Sequence, residues 1–246
     1  MNILVTNDDG IETEGIRQLS QALSEIGRVT VVAPQTEQSA VSRSITFRTP
    51  LRVEHRYEPV QDSYAVTGTP SDCVFLAVHH LLENPPDLLV SGINTGPNLG
   101  DDVLYSGTVA GALEGALNGI RSIAISAGSH SGQRYDTAAA WLVEFLKSQN
   151  LQLPPKTCLN INVPCVDLTE LNGYRYTFQG HTHYAQRVVK RQDPWGREYY
   201  WLGGEVPAGQ PDEGSDISAV RDGYVSITPL GLDLTNHSYL TEGAIK

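Results

Sequence analysis

The sequence lacks long apolar runs and closely spaced cysteines, and each absence removes a class of protein. No apolar run approaches the roughly 18 residues that a membrane-spanning helix needs, so we expect no transmembrane segment. The first residues show no basic region followed by an apolar stretch and a cleavage site, so we expect no signal peptide. Cys73, Cys158 and Cys165 are odd in number and lack metal-type spacing, which favours buried thiols in a reducing cytoplasm.

Basic residues are also scarce. The net charge is −11, from 28 acidic and 17 basic residues, and no basic run or stripe occurs. We therefore expect no binding to long nucleic acid. The G-x-G-x-x-G pattern is missing after the first apolar run, which argues against a dinucleotide cofactor. A small anion remains compatible with an acidic chain if a metal cation or the N–H groups of a helix start bind it.

What the sequence does contain is an alternation of strand-like and helix-like segments. The 246 residues, 40% of them hydrophobic, suffice for one large α/β domain or for a core with an extension. Short apolar runs alternate with amphipathic segments over residues 1–165, beginning with a strand at 1–6 and a helix at 13–26. This order predicts a doubly wound, Rossmann-like and mostly parallel sheet.

The character of the sequence changes after Pro164, so we predict a core at 1–165 and a C-terminal extension at 166–246 within one overall domain. The extension contains a predicted β-hairpin at about 185–203, around the turn residues Asp193-Pro194-Trp195-Gly196. Its return arm carries Tyr199, Tyr200 and Trp201 in succession, so one aromatic face is expected to be exposed in a single subunit. We expect an oligomer contact to cover that face.

Two adjacent carboxylates, Asp8 and Asp9, follow the first predicted strand and precede Gly10. Strands of open α/β sheets present ligand-binding groups just past their carboxyl ends, and glycine permits the turn that brings both acids to one site. Carboxylates so close repel each other unless they share a cation. The pair therefore suggests a divalent metal site, and the alternative is a solvated acidic turn.

Three further segments reach the same predicted edge. Ser39 lies in a polar loop past the second strand, and a long glycine- and asparagine-rich loop at 92–102 follows a buried strand. Ser106 or Thr108 can cap the next helix, whose free N–H groups suit a phosphate. An ordinary loop serine and an ordinary capped helix are the alternatives.

Two histidine-containing pairs occur in the extension. Asp233 and His237 are four residues apart and would align on a helical turn, where a surface ion pair is the simplest explanation. His181 and His183 are two apart and offer a weaker metal alternative, because no carboxylate stands beside them.

Taken together, these segments resemble the SurE survival-protein family. The resemblance runs in order along nearly the whole chain, through Thr6-Asn7-Asp8-Asp9-Gly10, Ala33-Pro34 with Ser39, Val66-Thr67-Gly68-Thr69-Pro70-Ser71-Asp72-Cys73-Val74, Ser91-Gly92-Ile93-Asn94, Tyr105-Ser106-Gly107-Thr108, Leu159-Asn160-Ile161-Asn162-Val163-Pro164, and Val225-Ser226-Ile227-Thr228-Pro229-Leu230 with Asp233. One departure is Ala40, where the family pattern has glycine.

The resemblance implies a metal-dependent nucleotidase that removes phosphate from nucleoside 5′-monophosphates, with 3′-nucleotides and short polyphosphate as further substrates. It implies these site residues: metal ligands Asp8, Asp9, Ser39 and Asn94; phosphate-binding residues Asn98, Ser106, Gly107 and Thr108; and Asp233 and His237 as assisting catalytic residues from a neighbouring subunit, beside Asp8 and Asp9. All four metal ligands are oxygen donors, which suit Mg²⁺ or Mn²⁺, or else Ca²⁺, better than zinc. The family likeness also implies a homodimer or homotetramer with exchanged C-terminal segments.

The expected chemistry is attack of a water on the phosphorus, with His237 available to protonate the leaving oxygen. The alternative is that Asp8 or Asp9 is the nucleophile, but a carboxylate bound to metal attacks poorly. Two rival functions stay open from the residues alone. One is metal-dependent hydrolysis of a different ester, and the other is nucleotide binding without catalysis in a stress protein.

Overall fold

The computed structural model describes residues 1–129, 132–181, 185–205 and 211–241. Its strands in these ranges are β1 (Asn2–Thr6), β2 (Arg28–Pro34), β3 (Val53–Arg56), β4 (Ser63–Val66), β5 (Leu88–Asn94), β6 (Arg121–Ala127), β7 (Thr157–Val163), β8 (Tyr174–Tyr176), β9 (Ala185–Gln192), β10 (Glu198–Glu205) and β11 (Val225–Gly231). Its α-helices are α1 (Glu14–Leu23), α2 (Pro70–Leu76), α3 (Gly107–Leu117), α4 (Tyr135–Ser148), α5 (Asp216–Arg221) and α6 (His237–Thr241).

A mostly parallel sheet forms the centre of the molecule, as the alternating sequence predicted. The strand order is β3-β4-β2-β1-β5-β6-β7-β11-β8. The chain builds outward from β1 through β2 and β4, then returns to the other side of β1 with β5 and continues to β6 and β7. The order therefore reverses between β1 and β5, which pair in parallel with Thr6 opposite Ser91. Doubly wound folds bind ligands in the crevice at such a reversal.

Helices cover both faces of the sheet. Helices α1 and α4 pack on one face, and α1 buries Ile16, Leu19 and Leu23 there. Full burial of each such side chain contributes about 1.5–3 kcal/mol. Helices α2 and α3 pack on the other face. Among the described residues, no helix is both long enough and apolar enough to traverse a bilayer.

The C-terminal extension contributes two strands to the central sheet. Strand β11 pairs antiparallel with β7, and β8 pairs with β11. Strands β9 and β10 form a separate antiparallel hairpin, whose turn is closed by Gly196 N donating to the Asp193 carbonyl at 3.0 Å. The hairpin predicted from the Asp-Pro-Trp-Gly turn is therefore present.

Two segments are less regular than their sequence patterns suggest. Residues 45–57 alternate and are rich in β-branched residues, which predicts one or two strands, and the structure forms one, Val53–Arg56. Thr46 instead bonds through its N–H and hydroxyl to the Asp72 carboxylate, at 2.9 and 2.7 Å, so a side chain replaces the neighbouring strand as its partner. The sequence after Thr69-Pro70 predicts a helix that runs to about Leu82, and the structure ends α2 at Leu76 and continues it as a π-helical turn at Ala77–Leu81.

Candidate active site at the carboxyl edge of the sheet

The acidic pair sits where the chain turns sharply away from β1. Gly10 adopts φ +107°, a conformation that side-chain-bearing residues rarely adopt. The Asn7 amide holds the turn by donating to the Gly10 carbonyl at 2.9 Å. Asp8 is buried and Asp9 half-buried, so neither belongs to an open, fully solvated turn.

Asp8 and Asn94 meet at one hydroxyl. Thr108, on the first turn of α3, donates its Oγ1 proton to Asp8 Oδ1. Asn94 Oδ1 lies 3.3 Å from Thr108 Oγ1. The close approach depends on Gly107, because a Cβ there would lie 2.8 Å from Asp8 Cβ and 2.9 Å from its Oδ2. The ends of β1 and β5 and the start of α3 thus converge on one small volume.

Asp9 is oriented by a second contact chain. Thr95 donates to Asp9 Oδ2 from its N–H at 3.0 Å and lies within 3.1 Å through its hydroxyl. The Thr95 hydroxyl is also 2.7 Å from the Tyr135 hydroxyl at the start of α4. Both bonds end on Oδ2, which leaves Oδ1 of Asp9 for another ligand.

Burial makes the negative charge of this pair costly. It raises the pKa of the Asp8 carboxyl to about 6, while the Thr108 hydroxyl opposes the shift and the Asp9 charge adds to it. Burial also raises the pKa of Asp9, against the hydrogen bonds from Thr95 and with a contribution from Glu37. A divalent cation would neutralise these charges in place. The donor set fits such an ion, since carboxylate, amide and hydroxyl oxygens are hard ligands.

The polar loop past β2 closes a third side of the site. Gln38 N donates to the Asp8 carbonyl at 2.7 Å, so Ser39 follows a residue that touches the acidic turn. Ser39 itself is exposed and donates to Glu37 Oε1 at 2.7 Å. Ala40 has φ +57°, in the left-handed region that favours the glycine of the family pattern.

The start of α3 has the features of an anion site. Ser106 is the N-cap and its Oγ accepts from Val109 N at 3.1 Å. The N–H groups of Gly107 and Thr108 belong to the first turn and have no acceptor within the helix. The Thr108 N–H is one of the groups that lowers the pKa of Asp8, so this helix end faces the carboxylate.

Asn98 lies in a buried amide network beneath that helix. Its Nδ2 donates to Ser126 Oγ at 2.8 Å and its N–H donates to Asn162 Oδ1 at 2.8 Å. Its carbonyl accepts from Asn160 Nδ2 at 2.8 Å and from Asn162 Nδ2 at 3.1 Å. One Nδ2 hydrogen remains for a ligand, since the amide group carries two.

The C-terminal candidates form a separate exposed pair. Asp233 and His237 contact each other at 2.8 Å, and their side chains are 63% and 69% exposed. In the part of the chain that the structure describes, neither has a hydrogen bond to the acidic pair or to α3. His181 Nδ1 is 3.7 Å from Asp101 Oδ1, and His183 lies outside the described residues.

Two residues of the site escaped the sequence reasoning. Thr95 and Tyr135 orient Asp9, but only the position of Thr95 inside the long loop pointed to a role. Across the described ranges, no group of three or more His, Cys, Asp or Glu side chains is placed to hold a metal. The candidate site instead combines two carboxylates with an amide oxygen and a hydroxyl oxygen.

Comparison with known proteins identifies relatives that match nearly the whole chain. The family model described as Survival protein SurE matches residues 3–186. The chain is 50% identical over 242 residues to the 5′-nucleotidase SurE of Kosmotoga olearia, covering 98% of this chain and 96% of that protein. It is 49% identical over 244 residues to the 5′-nucleotidase SurE of Thermosipho melanesiensis, covering 98% and 95%. The crystal structure of the SurE protein from Aquifex aeolicus superposes with a TM-score of 0.87 at 43% identity, covering 99% of this chain and 98% of that one.

Proposed function

Because this chain belongs to the SurE survival-protein family, we propose that it is a metal-dependent 5′-nucleotidase, which hydrolyses nucleoside monophosphates to nucleoside and phosphate. It is a phosphoric monoester hydrolase, like the curated relatives at about 50% identity. The observation that carries the proposed site is the meeting of Asp8 and Asn94 at the Thr108 hydroxyl, where the strand order reverses.

Asp8, Asp9, Ser39 and Asn94 hold the cation in this proposal. The two carboxylates would supply the charge, Asn94 would supply an amide oxygen, and Ser39 would supply a hydroxyl oxygen, which in this structure bonds to Glu37. Such hard donors favour Mg²⁺ or Mn²⁺, with Ca²⁺ a weaker candidate. When bound, the cation neutralises charge on the phosphate and lowers the pKa of a bound water.

The phosphate lies against the start of α3. In this proposal the N–H group of Gly107 donates to its oxygens, together with that of Thr108, which the phosphate would share with Asp8. The helix dipole adds favourable electrostatics there. Ser106 fixes the helix end as its cap, and Asn98 donates its remaining amide hydrogen. These donors stabilise the charge that spreads over the phosphoryl oxygens in the transition state.

The remaining steps concern protons. Thr95 bonds to Oδ2 of Asp9, and we therefore assign its other oxygen, Oδ1, to accept a hydrogen bond from the attacking water. Water is the nucleophile, because carboxylates engaged with a cation attack poorly. His237, oriented by Asp233, protonates the leaving nucleoside oxygen. In the single chain both are exposed and bonded to each other, so we assign them to a neighbouring subunit's site.

This assignment extends to the organisation of the chain. Residues 1–165 form the metal- and phosphate-binding core, and 166–246 form the extension with the oligomerisation hairpin and an exchanged tail. Exposed Leu234 and Tyr239, at 90% and 63%, support docking of the tail on a second copy. The assembly is a homodimer or homotetramer. The three cysteines are free thiols, in keeping with a cytoplasmic enzyme.

The test is phosphate release from a panel of nucleoside 5′- and 3′-monophosphates and short polyphosphate. We expect turnover with Mg²⁺ or Mn²⁺, none after chelation, and a loss of about a thousandfold in Asp9→Asn. Asp62→Asn, which removes a half-buried carboxylate that pairs with Arg28 just before β4, serves as the charge-matched control and should keep wild-type activity.

Each rival function predicts a different result. A hydrolase of another ester would leave the nucleotides intact and resist inhibition by inorganic phosphate. A binding protein without catalysis would retain nucleotides without releasing phosphate. A phosphorylated enzyme trapped during turnover would replace water with an aspartate as the nucleophile.

A further inference from the structure

Asp216 is a fully buried carboxylate that belongs to the extension but bonds to the core. It is the first residue of α5, and its Oδ1 accepts from Gly180 N and Ile217 N, each at 2.8 Å. Its Oδ2 accepts from Gly100 N at 2.9 Å, across 116 positions of sequence. A buried charge that receives three backbone N–H groups is anchored firmly, since such bonds are stronger than neutral ones.

The contact with Gly100 falls on the segment that carries the proposed phosphate donors. Gly100 opens a 3-10 turn, Gly100–Leu104, which leads directly to the N-cap Ser106 of α3. Gly100 is held on its other side as well, because Gln179 Nε2 donates to its carbonyl at 2.9 Å. Asn98, two residues earlier, is fixed by the amide network on β6 and β7. The extension therefore clamps the loop between two of its donor groups.

We propose that Asp216 is a positioning residue for phosphate binding, which sets the segment 98–106 through the Gly100 N–H. It touches neither phosphate nor metal. Its contacts do not include Asp8, Asp9 or Asn94, whose geometry is set by Thr108 and Thr95. The metal ligands and the phosphate loop are therefore positioned by different parts of the chain. This inference rests on the function proposed above and adds a residue to it.

Replacement by asparagine separates the bonds of Asp216. If the new amide keeps its oxygen toward Gly180 and Ile217, its NH₂ group faces the Gly100 N–H, and two donors repel. The flipped amide would lose two bonds instead of one, so the first arrangement is favoured. Asp216→Asn therefore removes the Gly100 bond selectively.

The experiment measures inorganic phosphate inhibition, KM for a nucleoside monophosphate, Mn²⁺ affinity by calorimetry, and amide exchange over 99–106. In Asp216→Asn we expect KM and the inhibition constant of phosphate to rise about tenfold. Exchange should accelerate in that segment, while Mn²⁺ affinity stays within about twofold of wild type. Gln179→Leu, which removes the other bond to Gly100, should shift both constants about threefold in the same direction.

Ser215→Ala is the matched control. Ser215 caps the same helix by accepting from Ser218 N at 3.2 Å, so its loss weakens α5 without breaking the Gly100 bond. The control should keep wild-type phosphate constants. The proposal would be overturned if Asp216→Asn and Ser215→Ala raised KM and the phosphate inhibition constant equally. It would also be overturned if Asp216→Asn weakened Mn²⁺ binding as much as it weakened phosphate binding. If wild-type protein itself neither binds phosphate nor hydrolyses nucleotides, the proposed function fails first; if wild type does both, only the role of Asp216 is at stake.

Discussion

Two regions of this molecule use aspartate in opposite surroundings. Asp8 is 4% exposed, and burial raises its pKa to about 6. Asp233 on the tail is 63% exposed, and hydrogen bonds from Thr235 and His237 lower its pKa. The exposed carboxylate is satisfied by its own segment, whereas the buried one carries a charge that its surroundings do not balance. A buried carboxylate charge that is not balanced, located in a cleft, is typical of a functional site such as a cation site.

The comparison predicts its largest effect for Asp8→Asn. This change removes a metal ligand, and we expect nucleotide hydrolysis to fall about a thousandfold or more. Steady-state phosphate release and Mn²⁺ calorimetry measure the two losses. Activity within tenfold of wild type would mean that the buried charge serves stability or folding and not the reaction.

The same variant should gain stability in chelator. A folded pKa of about 6 lies above the unfolded value of about 3.9, so the group stabilises the fold below pH 4 and loses this contribution as the pH rises to 6. The loss is about 3 kcal/mol for metal-free wild type, and Asp8→Asn should lack it. Urea unfolding at pH 4 and pH 7 checks the slope. Mn²⁺ should stabilise wild type at pH 7 and leave the variant unchanged.

On the exposed side of the comparison, His237→Ala should lower kcat about a hundredfold in steady-state phosphate release, since it removes a general acid.

The exchange of tails between subunits is tested by mixing two impaired variants. Asp9→Asn subunits have an inactive metal site but keep His237 on their tails. His237→Ala subunits have an intact metal site but lack the histidine on their tails. Refolded mixtures should regain activity that neither variant has alone. No recovery would place His237 in the site of its own chain or outside the reaction.

Thr108→Val should produce an intermediate effect. It removes the hydroxyl at which Asp8 and Asn94 meet, so Mn²⁺ affinity should fall about tenfold. Thr108→Ser keeps the hydroxyl and is the control. If Thr108→Val raises only the phosphate inhibition constant, the side chain serves the substrate and not the metal ligands.

The smallest effect on chemistry is expected at the hairpin. Trp201, 64% exposed on β10, belongs to the aromatic face that we assign to subunit contact. Trp201→Glu should lower the molar mass measured by light scattering and change kcat/KM by less than about twofold. An unchanged mass would remove the hairpin from the assembly.

The sequence predicted best what depends on local pattern. Strand and helix alternation led to the parallel sheet, and the position of Asp8 after β1 led to the edge where the structure brings Asp8, Asn94 and Thr108 together.

The sequence predicted less well those segments whose conformation depends on a side chain far away along the chain. Thr46 donates to the Asp72 carboxylate instead of pairing with a strand, and no residue near Thr46 in the sequence indicates this contact. Asp216 lies 116 positions from Gly100, so no local pattern connects them.

The resemblance supplied candidate residues, but their contacts came only from the fold. Thr108 was expected among phosphate ligands, but its hydroxyl donates to Asp8 and its backbone N–H also bonds to that carboxylate, so in this structure both donors of Thr108 serve the acidic turn. Ser39 was expected beside the acids, and its hydroxyl points to Glu37 in this structure. Hydroxyl groups rotate among several acceptors, so sequence fixes their presence but not their partner.

The end of the antiparallel strand β11 also limits how far the tail can reach into a neighbouring subunit. The tail leaves the sheet at Gly231, and His237 follows six residues later. Six extended residues span about 20 Å, so any arrangement of copies in which His237 serves another chain must bring that chain's phosphate site within about this distance of Gly231, extended only by the reach of the histidine side chain. Packing geometries that exceed it are ruled out by chain length alone.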